Sequence, residues 1–211
     1  MRLKLLSDLS NLEEITEKVA IYLKEDKIGA IPTETFYGLA CNPFSEKALY
    51  KLTSLKKRKS NKPILLLINN LEQLKDLVKE IPPLGKKLIE KFWPGPLTIV
   101  FESKESLSPL LTANTNTIGV RLSSSFIVKK IIEKFGYPVT GTSANLSDQP
   151  SCKTPEEVLR QIPDIDFIID AGELKASLPS TVVCVVKNKL KLIREGEIPY
   201  KKILEVINET S

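Results

Sequence analysis

The sequence predicts an α/β fold, a single domain with a mixed sheet and flanking helices. Apolar runs of strand length recur along the chain between amphipathic segments of helical periodicity. Strand-like segments near the C-terminus follow one another without a helix between them, which argues against a purely parallel, strictly alternating sheet. A length of 211 residues suits one domain with a full core. The sequence has no internal repeat, low-complexity tract or Gly/Ser-rich linker that would divide it.

The first half of the chain alternates helix and strand signals. Ser10 and Glu13 have the spacing of a capping box, and Ser45 can cap a second helix. The continuous apolar run at 63–68 is typical of a strand covered on both faces. In chain order we expect a helix at about 11–26, a strand at 28–31, a helix at 45–57, a strand at 63–68, helices from Asn70 and over 84–92, a rigid turn at 93–96 and a strand at 97–101.

The second half ends in several consecutive strands. Thr154, Pro155 and Glu157 combine a cap, a proline at the first helical position and a capping-box glutamate. Asn188 lies in a short link, which predicts a hairpin between the last two strands. In order we expect a loop at 103–116, a strand at 117–122, a helix at 126–135, a strand at 137–140, a small-residue loop at 141–147, a helix from Thr154, strands at 167–169, 181–186 and 190–193, and a helix after Pro199.

The composition excludes several kinds of chemistry. The chain has no histidine, so histidine-dependent triads, Cys-His pairs and His-ligated metals are ruled out. Reactions whose nucleophile is already an anion need no general base and become more plausible. With 31 basic and 26 acidic residues the net charge is +5, which permits polyanion binding without requiring it. A lysine-rich solvated surface explains that charge equally well.

The sequence favours a protein of the cytoplasm without a membrane segment. The N-terminal residues are charged and lack the apolar run of a signal peptide, and no apolar stretch has the length of a membrane span. The three cysteines, Cys41, Cys152 and Cys184, are far apart, so neither a zinc ribbon nor a redox pair is supported. We interpret them as free thiols in a reducing cytosol.

Polar residues cluster where the predicted strands end. The groups are Thr33-Glu34-Thr35, the basic run Lys56 to Lys62, Thr142 to Asn145, Ser180-Thr181, and the single arginines Arg121 and Arg194. Each has a structural alternative: the threonines can satisfy a turn, and a basic run is more often a solvated helix end. Arg121, inside an apolar strand, is expected to need an anionic partner. The number of such groups at strand ends predicts a site for an anionic, phosphate-type ligand. Neither a GxGxxG nor a GxxxxGK[ST] loop is present.

The polar clusters and a Trp-Pro-Gly-Pro turn together resemble a known family. The chain is similar to the YrdC-domain family, the threonylcarbamoyl-AMP synthases, over residues about 15–198. The matching stretches are Pro32-Thr33-Glu34-Thr35-Phe36-Tyr37-Gly38-Leu39, Lys56-x-Arg58, Pro63, Trp93-Pro94-Gly95-Pro96-Leu97-Thr98, Val120-Arg121, Ser143-Ala144-Asn145-Leu146-Ser147, Ser180-Thr181-Val182-Val183 and Ile193-Arg194-Glu195-Gly196. They occur in the family's order, and the whole chain, 1–211, resembles its single-domain form.

The resemblance implies a YrdC-like fold, a twisted open mixed sheet with a concave basic face, and a nucleotidyltransferase activity. It implies synthesis of L-threonylcarbamoyl-AMP and pyrophosphate from L-threonine, bicarbonate and ATP, the first step of N6-threonylcarbamoyladenosine formation in tRNA. The expected cofactor is Mg²⁺ carried by ATP phosphates and water, with no metal-binding residue in the protein. Expected partners are tRNA or double-stranded RNA on the basic face and the proteins that transfer the threonylcarbamoyl group to tRNA.

The resemblance also implies roles for individual residues. Lys56 and Arg58 are the expected catalytic residues, and both are expected to contact the nucleotide. Threonine or its carbamate is expected to bind to Thr35, Arg121, Thr140 and Ser180. The nucleotide is expected to bind to Thr117, Ser143, Asn145, Ser151 and Arg194.

Two other functions remain open from the sequence. One is a carbamoyl-adenylating domain, like that of hydrogenase-maturation proteins, although the flanking zinc-finger and acylphosphatase-like regions are absent here. The other is a non-catalytic RNA-binding module that uses the basic face. Such a module explains the charge but not the hydroxyls, Arg121 and Asn145 at the strand ends.

Overall fold

A computed structural model describes residues 1–57 and 62–208 of the chain. The α-helices within these ranges are α1 (Leu12–Lys24), α2 (Glu46–Leu55), α3 (Leu71–Leu77), α4 (Pro83–Phe92), α5 (Pro109–Thr112), α6 (Phe126–Phe135), α7 (Pro155–Gln161) and α8 (Tyr200–Asn208). The strands are β1 (Arg2–Lys4), β2 (Gly29–Ile31), β3 (Gly38–Ala40), β4 (Leu66–Ile68), β5 (Leu97–Glu102), β6 (Thr117–Leu122), β7 (Val139–Thr140), β8 (Thr142–Ser143), β9 (Phe167–Asp170), β10 (Thr181–Cys184) and β11 (Lys191–Arg194). No helix in the described ranges has the length and apolar character needed to cross a bilayer.

The strands form two mixed sheets, where the sequence predicted one. The first has the order β1-β9-β2-β3-β8 and the second β11-β10-β5-β6-β4-β7. Both contain parallel pairs, such as β2 with β9 and β10 with β5, and antiparallel pairs, such as β2 with β3 and β5 with β6. The α/β class and the mixed pairing are therefore confirmed. The late hairpin is confirmed too, because β10 and β11 pair antiparallel.

The chain passes from one sheet to the other at Gly141. Thr140 pairs with Leu66 in the second sheet, and Ser143 pairs with Gly38 in the first. A Cβ atom built on Gly141 would lie 2.5 Å from Cγ of the buried Leu67. A side chain at this position would therefore overlap Leu67 of β4, where the chain leaves the second sheet.

Buried side chains fill both faces of β4. Leu66 belongs to a core cluster with Leu49 of α2, whereas Leu67 belongs to a second cluster with Ile131 of α6. The prediction that the apolar run at 63–68 is covered on both faces is confirmed at Leu66–Ile68, the part that forms the strand.

Three predicted helix starts are confirmed and one is wrong. Ser45 caps α2, Asn70 caps α3, and Thr154 begins α7 with a complete capping box. At α1 the capping position belongs to Asn11, not Ser10, whose hydroxyl donates to Asp8 at 2.8 Å. The Asn11 side chain also makes no cap; its Nδ2 donates to the carbonyl of Lys4 at 2.9 Å, so it fixes the turn after β1 instead.

Other differences concern short elements. Residues 103–116 contain the four-residue helix α5, which Ser108 caps through Leu110 N–H. The strands β1, β3 and β8 have two or three residues each and were not predicted. Strands of that length are stabilised by their neighbours, so their own sequence carries little signal.

Candidate active site

A cavity of about 520 Å³ lies between the two sheets. Its floor is one face of the second sheet, because alternate residues of a strand point to the same side. The floor residues are Thr98 and Val100 of β5, Thr117, Gly119 and Arg121 of β6, Val182 of β10 and Arg194 of β11, with Ser180 just before β10. The intervening residues Ile99, Val120 and Val183 are buried in the core. The period-2 pattern thus places the hydroxyls and arginines of these strands on the cavity face and leaves the opposite face to the apolar core.

The opposite wall comes from the first sheet and two segments beside it. These are the turn between β2 and β3, the end of α2, and the loop after β8, contributing Thr33, Thr35, Tyr37, Lys56, Ser143, Asn145 and Ser151. Among the described lining residues, four are basic (Lys56, Lys62, Arg121 and Arg194) and one is acidic, Asp148. The cavity therefore suits an anionic ligand.

Arg121 is a buried cation whose guanidinium contacts residues of the turn between β2 and β3. Its side chain is 3 % exposed, and Nη1 lies 3.2 Å from Oε1 of Glu34 and donates to Oγ1 of Thr35 at 3.2 Å. Burial lowers the pKa of Arg121, and the Glu34 carboxylate works in the opposite direction. Glu34 in turn accepts a hydrogen bond from Ser123 at 2.5 Å. The expectation of an anionic partner for Arg121 is confirmed within the protein itself, by Glu34.

The two threonines of the turn are coupled. Their hydroxyls lie 3.0 Å apart, and Thr33 Oγ1 accepts from the backbone N–H of Thr35 and donates to the carbonyl of Phe36. Thr33 thus has the turn-stabilising role that its residue type predicts. Thr35 lies between Thr33 and Arg121, so its hydroxyl belongs to the site.

A second polar group lies at the far edge of the cavity floor. Arg194 Nη2 donates to the carbonyl of Ser180 at 2.8 Å and to its hydroxyl at 3.3 Å, and Thr98 Oγ1 lies 3.0 Å from that hydroxyl. Loss of hydration on burial is the larger cause that lowers the pKa of Arg194, and the positive charge of Arg121 lowers it further. Arg194 pairs with Val182, and Val182 with Thr98 on β5, which lies next to β6. Three strand spacings therefore separate the backbones of the two arginines, about 14 Å.

Lys56 is buried against the loop that follows β8. Its side-chain amine donates to the carbonyl oxygens of Ser143 and Asn145, the latter at 2.7 Å, and approaches Asn145 Oδ1 at 3.5 Å. These are neutral acceptors on the cavity wall. Lys56 therefore holds the loop directly.

The structure brings together most of the site residues that the sequence predicted. Those that line the cavity are Thr35, Lys56, Thr117, Arg121, Ser143, Asn145, Ser151, Ser180 and Arg194. Arg58, the second predicted catalytic residue, lies outside the described residues. Thr140 does not line the cavity, because its buried hydroxyl donates to the carbonyl of Leu39 at 3.0 Å and accepts from Cys41 N–H at 2.9 Å. Its position connects the sheets and does not support the predicted contact with threonine.

Sequence reasoning missed three residues that support the site. The place of Thr98 on the cavity face could be predicted from the alternation of side chains along β5, once Ile99 is assigned to the core. Ser123, which orders Glu34, stands in a serine-rich segment that looks like an ordinary loop. Gln161 is the last residue of α7, and its side chain accepts a hydrogen bond from Leu146 N–H in the loop after β8. Nothing in the sequence indicates this contact.

Comparison with known proteins finds similarity over nearly the whole chain. Residues 21–196 match the Sua5_yciO_yrdC family model, described as telomere recombination. A threonylcarbamoyl-AMP synthase of Pyrococcus abyssi is 36% identical over 94% of this chain and 59% of its own length. One from Photobacterium profundum is 37% identical over 78% of this chain and 88% of its own length.

The fold comparison agrees with the sequence comparison. The crystal structure of P. abyssi Sua5 complexed with L-threonine is 33% identical, has a TM-score of 0.93, and is matched over 99% of this chain and 61% of that one. The chain thus spans about three fifths of the length of the Pyrococcus relative.

Proposed function

Because the chain belongs to the Sua5–YciO–YrdC family, we propose that it makes L-threonylcarbamoyl-AMP and pyrophosphate from L-threonine, bicarbonate and ATP. This reaction is the first step of N6-threonylcarbamoyladenosine formation in tRNA. The observation that carries the proposal is the arrangement of Arg121 and Arg194 on one face of the second sheet, with the Lys56-bound loop opposite them. Two cations carried by strands that lie three strand spacings apart suit a substrate pair that brings a carboxylate and a polyphosphate into one cavity.

Threonine binds at the Arg121 end. Nη1 of Arg121 is used by Glu34 and Thr35, which leaves the other face of the guanidinium for a carboxylate. The Thr35 hydroxyl is within reach of the same ligand. Ser180 lies nearer the Arg194 group, so its contact is with the carbamate end of threonine rather than with the amino-acid carboxylate.

The nucleotide binds along the rest of the cavity. Arg194 is exposed at the rim and has donors that can turn toward phosphate, while Ser143, Asn145 and Ser151 form the opposing wall. Thr117 lies on the floor between these walls, with its hydroxyl 2.8 Å from that of Thr115. Lys56 shapes the wall through its carbonyl contacts and contributes a positive field at the phosphates.

The chemistry needs charge neutralisation and positioning rather than a base. The carbamate formed from threonine and bicarbonate carries an anionic oxygen, which attacks the α-phosphate of ATP as the bond to pyrophosphate breaks. Arg121 and Arg194 hold the two reactants in line and reduce the repulsion between their negative charges. A chain without histidine can therefore perform this reaction.

Mg²⁺ enters with ATP in this proposal. Among residues 1–57 and 62–208 there is no group of three or more carboxylate or cysteine side chains that could hold a metal ion. Among the described residues, side-chain hydroxyls, the Asn145 amide oxygen and the Asp148 carboxylate are the side-chain oxygens that line the cavity. They fit a cation bound mostly by phosphate oxygens and water, which supplies further neutralisation of the phosphate charge.

The reaction product implies further partners. Threonylcarbamoyl-AMP is an activated anhydride, so a transferase system must pass its acyl group to adenosine in tRNA. In this proposal tRNA or double-stranded RNA approaches the cavity at the rim that carries the exposed Arg194, and the cytoplasm is the compartment where these substrates meet.

Pyrophosphate release from Mg-ATP tests the proposal, with threonine and bicarbonate each present or omitted. We expect release only when both are present. Release driven by carbamoyl phosphate instead would assign the chain to the carbamoyl-adenylating class. No release from folded protein that still binds RNA would favour a non-catalytic RNA-binding module.

A further inference from the structure

The loop of residues 143–151 forms a cavity wall without the support of a sheet. Only its first residue, Ser143, belongs to a strand, and Ser143, Asn145 and Ser151 line the cavity. A loop outside regular structure must satisfy its backbone groups by other means. The partners that do so decide where the cavity-lining side chains lie.

One side of the loop is fixed by Lys56 and by Asn145. Lys56 donates to carbonyls at positions 143 and 145, and its own carbonyl accepts from Ser147 N–H at 3.1 Å. Asn145 Nδ2 donates to the carbonyls of Leu146 at 2.9 Å and Gln149 at 2.5 Å. These contacts reach positions 143 to 149 of the loop but do not bond the Leu146 N–H or the Pro150 carbonyl.

Gln161 supplies those two bonds from outside the loop. Its Oε1 accepts from Leu146 N–H at 3.0 Å, and its Nε2 donates to the carbonyl of Pro150 at 3.2 Å and contacts Cys152 Sγ at 3.4 Å. A donor partner on one end and an acceptor partner on the other fix the orientation of the amide. One side chain thus connects both ends of the segment 146–150.

The helix that carries Gln161 is itself well anchored. Thr154 accepts from Glu157 N–H, and Glu157 Oε2 accepts from the N–H groups of Lys153 and Thr154. Val158 is fully buried. Gln161 is therefore presented from a rigid element, as a precise positioning contact requires.

We infer that Gln161 is a positioning residue that holds the 143–151 loop in the conformation that binds the nucleotide. This inference rests on the proposed function for the identity of the ligand, ATP. Without the Gln161 amide, the protein must order the loop when ATP binds, and that cost appears as weaker ATP binding. Threonine, bound at Arg121 on the cavity floor, should not be affected.

The test compares Gln161→Leu, which removes both hydrogen bonds at similar size, with Gln161→Glu, which keeps the acceptor for Leu146 N–H and loses the donor to Pro150. Arg160→Ala is the matched control, because Arg160 is the preceding residue on the same helix, is exposed, and makes no ion pair within the described residues. Mg-ATP binding is measured by calorimetry, the KM values of ATP and threonine by pyrophosphate release, and exchange of the Leu146 amide by NMR.

We expect Gln161→Leu to weaken ATP binding roughly tenfold, as two ordinary hydrogen bonds would. The KM of threonine should change by less than about twofold, and exchange of the Leu146 amide should become faster. Gln161→Glu should keep that amide protected yet still bind ATP less tightly, and Arg160→Ala should match the wild type.

Two results would overturn the inference. The first is unchanged ATP affinity in Gln161→Leu while the wild type binds ATP normally. The second is an equal rise in both KM values with a lower unfolding temperature, which indicates general damage to the fold. If the wild type itself fails to bind ATP, the proposed function is wrong and this inference is wrong with it.

Discussion

Replacing Arg121 by methionine should remove threonine-dependent activity and also destabilise the fold, for separable reasons. Activity should be lost because the guanidinium that is proposed to bind the substrate carboxylate is gone. Stability is lost because Glu34, whose side chain is only 14 % exposed, keeps a carboxylate in the cavity wall without its cation. Breaking one partner of a buried ion pair costs about 3–5 kcal/mol. The remaining hydrogen bond from Ser123 to Glu34 and its partial exposure place the expected loss near the lower end, about 3 kcal/mol.

The double variant Glu34→Gln with Arg121→Met separates the two effects. Removing both charges should restore most of the lost stability, because no uncompensated carboxylate remains. It should restore no activity. Urea unfolding measures the first quantity, with an expected midpoint shift of about 1 M for the single variant. Pyrophosphate release measures the second.

A surface control makes the comparison specific. Lys129 forms only a long, exposed pair with Glu133 at 3.9 Å, so Lys129→Met should change stability by less than about 0.5 kcal/mol. The reasoning is refuted if Arg121→Met is as stable as the wild type, since Glu34 would then need no partner. It is also refuted if the double variant regains threonine-dependent turnover.

Three further predictions concern the scaffold. Gly141→Ala should destabilise the protein by about 1–3 kcal/mol and raise the KM of both substrates, because the new Cβ meets a buried leucine of β4 where the sheets cross; a urea midpoint equal to that of wild type would contradict this. Burial acts to raise the pKa of Asp170, but hydrogen bonds from Gly172 N–H and Arg2 outweigh it and hold the pKa below the usual 3.8. The resulting stability is present above about pH 4 and is lost as the pH falls through the lower folded-state pKa, so Asp170→Asn should lessen the acid dependence of unfolding. Thr154→Ala should lower the free energy of unfolding by about 1 kcal/mol, measured by thermal unfolding, and Glu90→Ala at an exposed position is its control.

Helix starts could be predicted where the signal is confined to a few neighbouring residues. Ser45, Asn70 and Thr154 bond to backbone groups three residues away, so their sequence context is sufficient. Ser10 had the same pattern, yet the chain before it is held by Asn11, whose side chain bonds to the end of β1. The competing contact depends on a strand that forms only by pairing with β9, more than 160 residues later.

The sequence predicted those residues of the candidate site that stand at the ends of strands. Arg121 stood out because an arginine in an apolar strand needs a partner, and the structure supplies Glu34. Thr140 was expected in the site only because of the family resemblance, and in the structure its hydroxyl is bonded to Leu39 and Cys41 instead. Gln161 gave no signal, because its role depends on α7 packing beside a distant loop.

The sequence by itself determined the α/β class, the order of most helices and strands, the exclusion of histidine chemistry, and the residue types of an anion-binding site. These depend on composition and on periodicities of two to four residues. Only the tertiary structure decided that the strands divide into two sheets at Gly141, and which hydroxyls face the cavity between them. The physical reason is that sheet pairing and side-chain burial are set by contacts between residues far apart in the chain, and local preferences do not encode them.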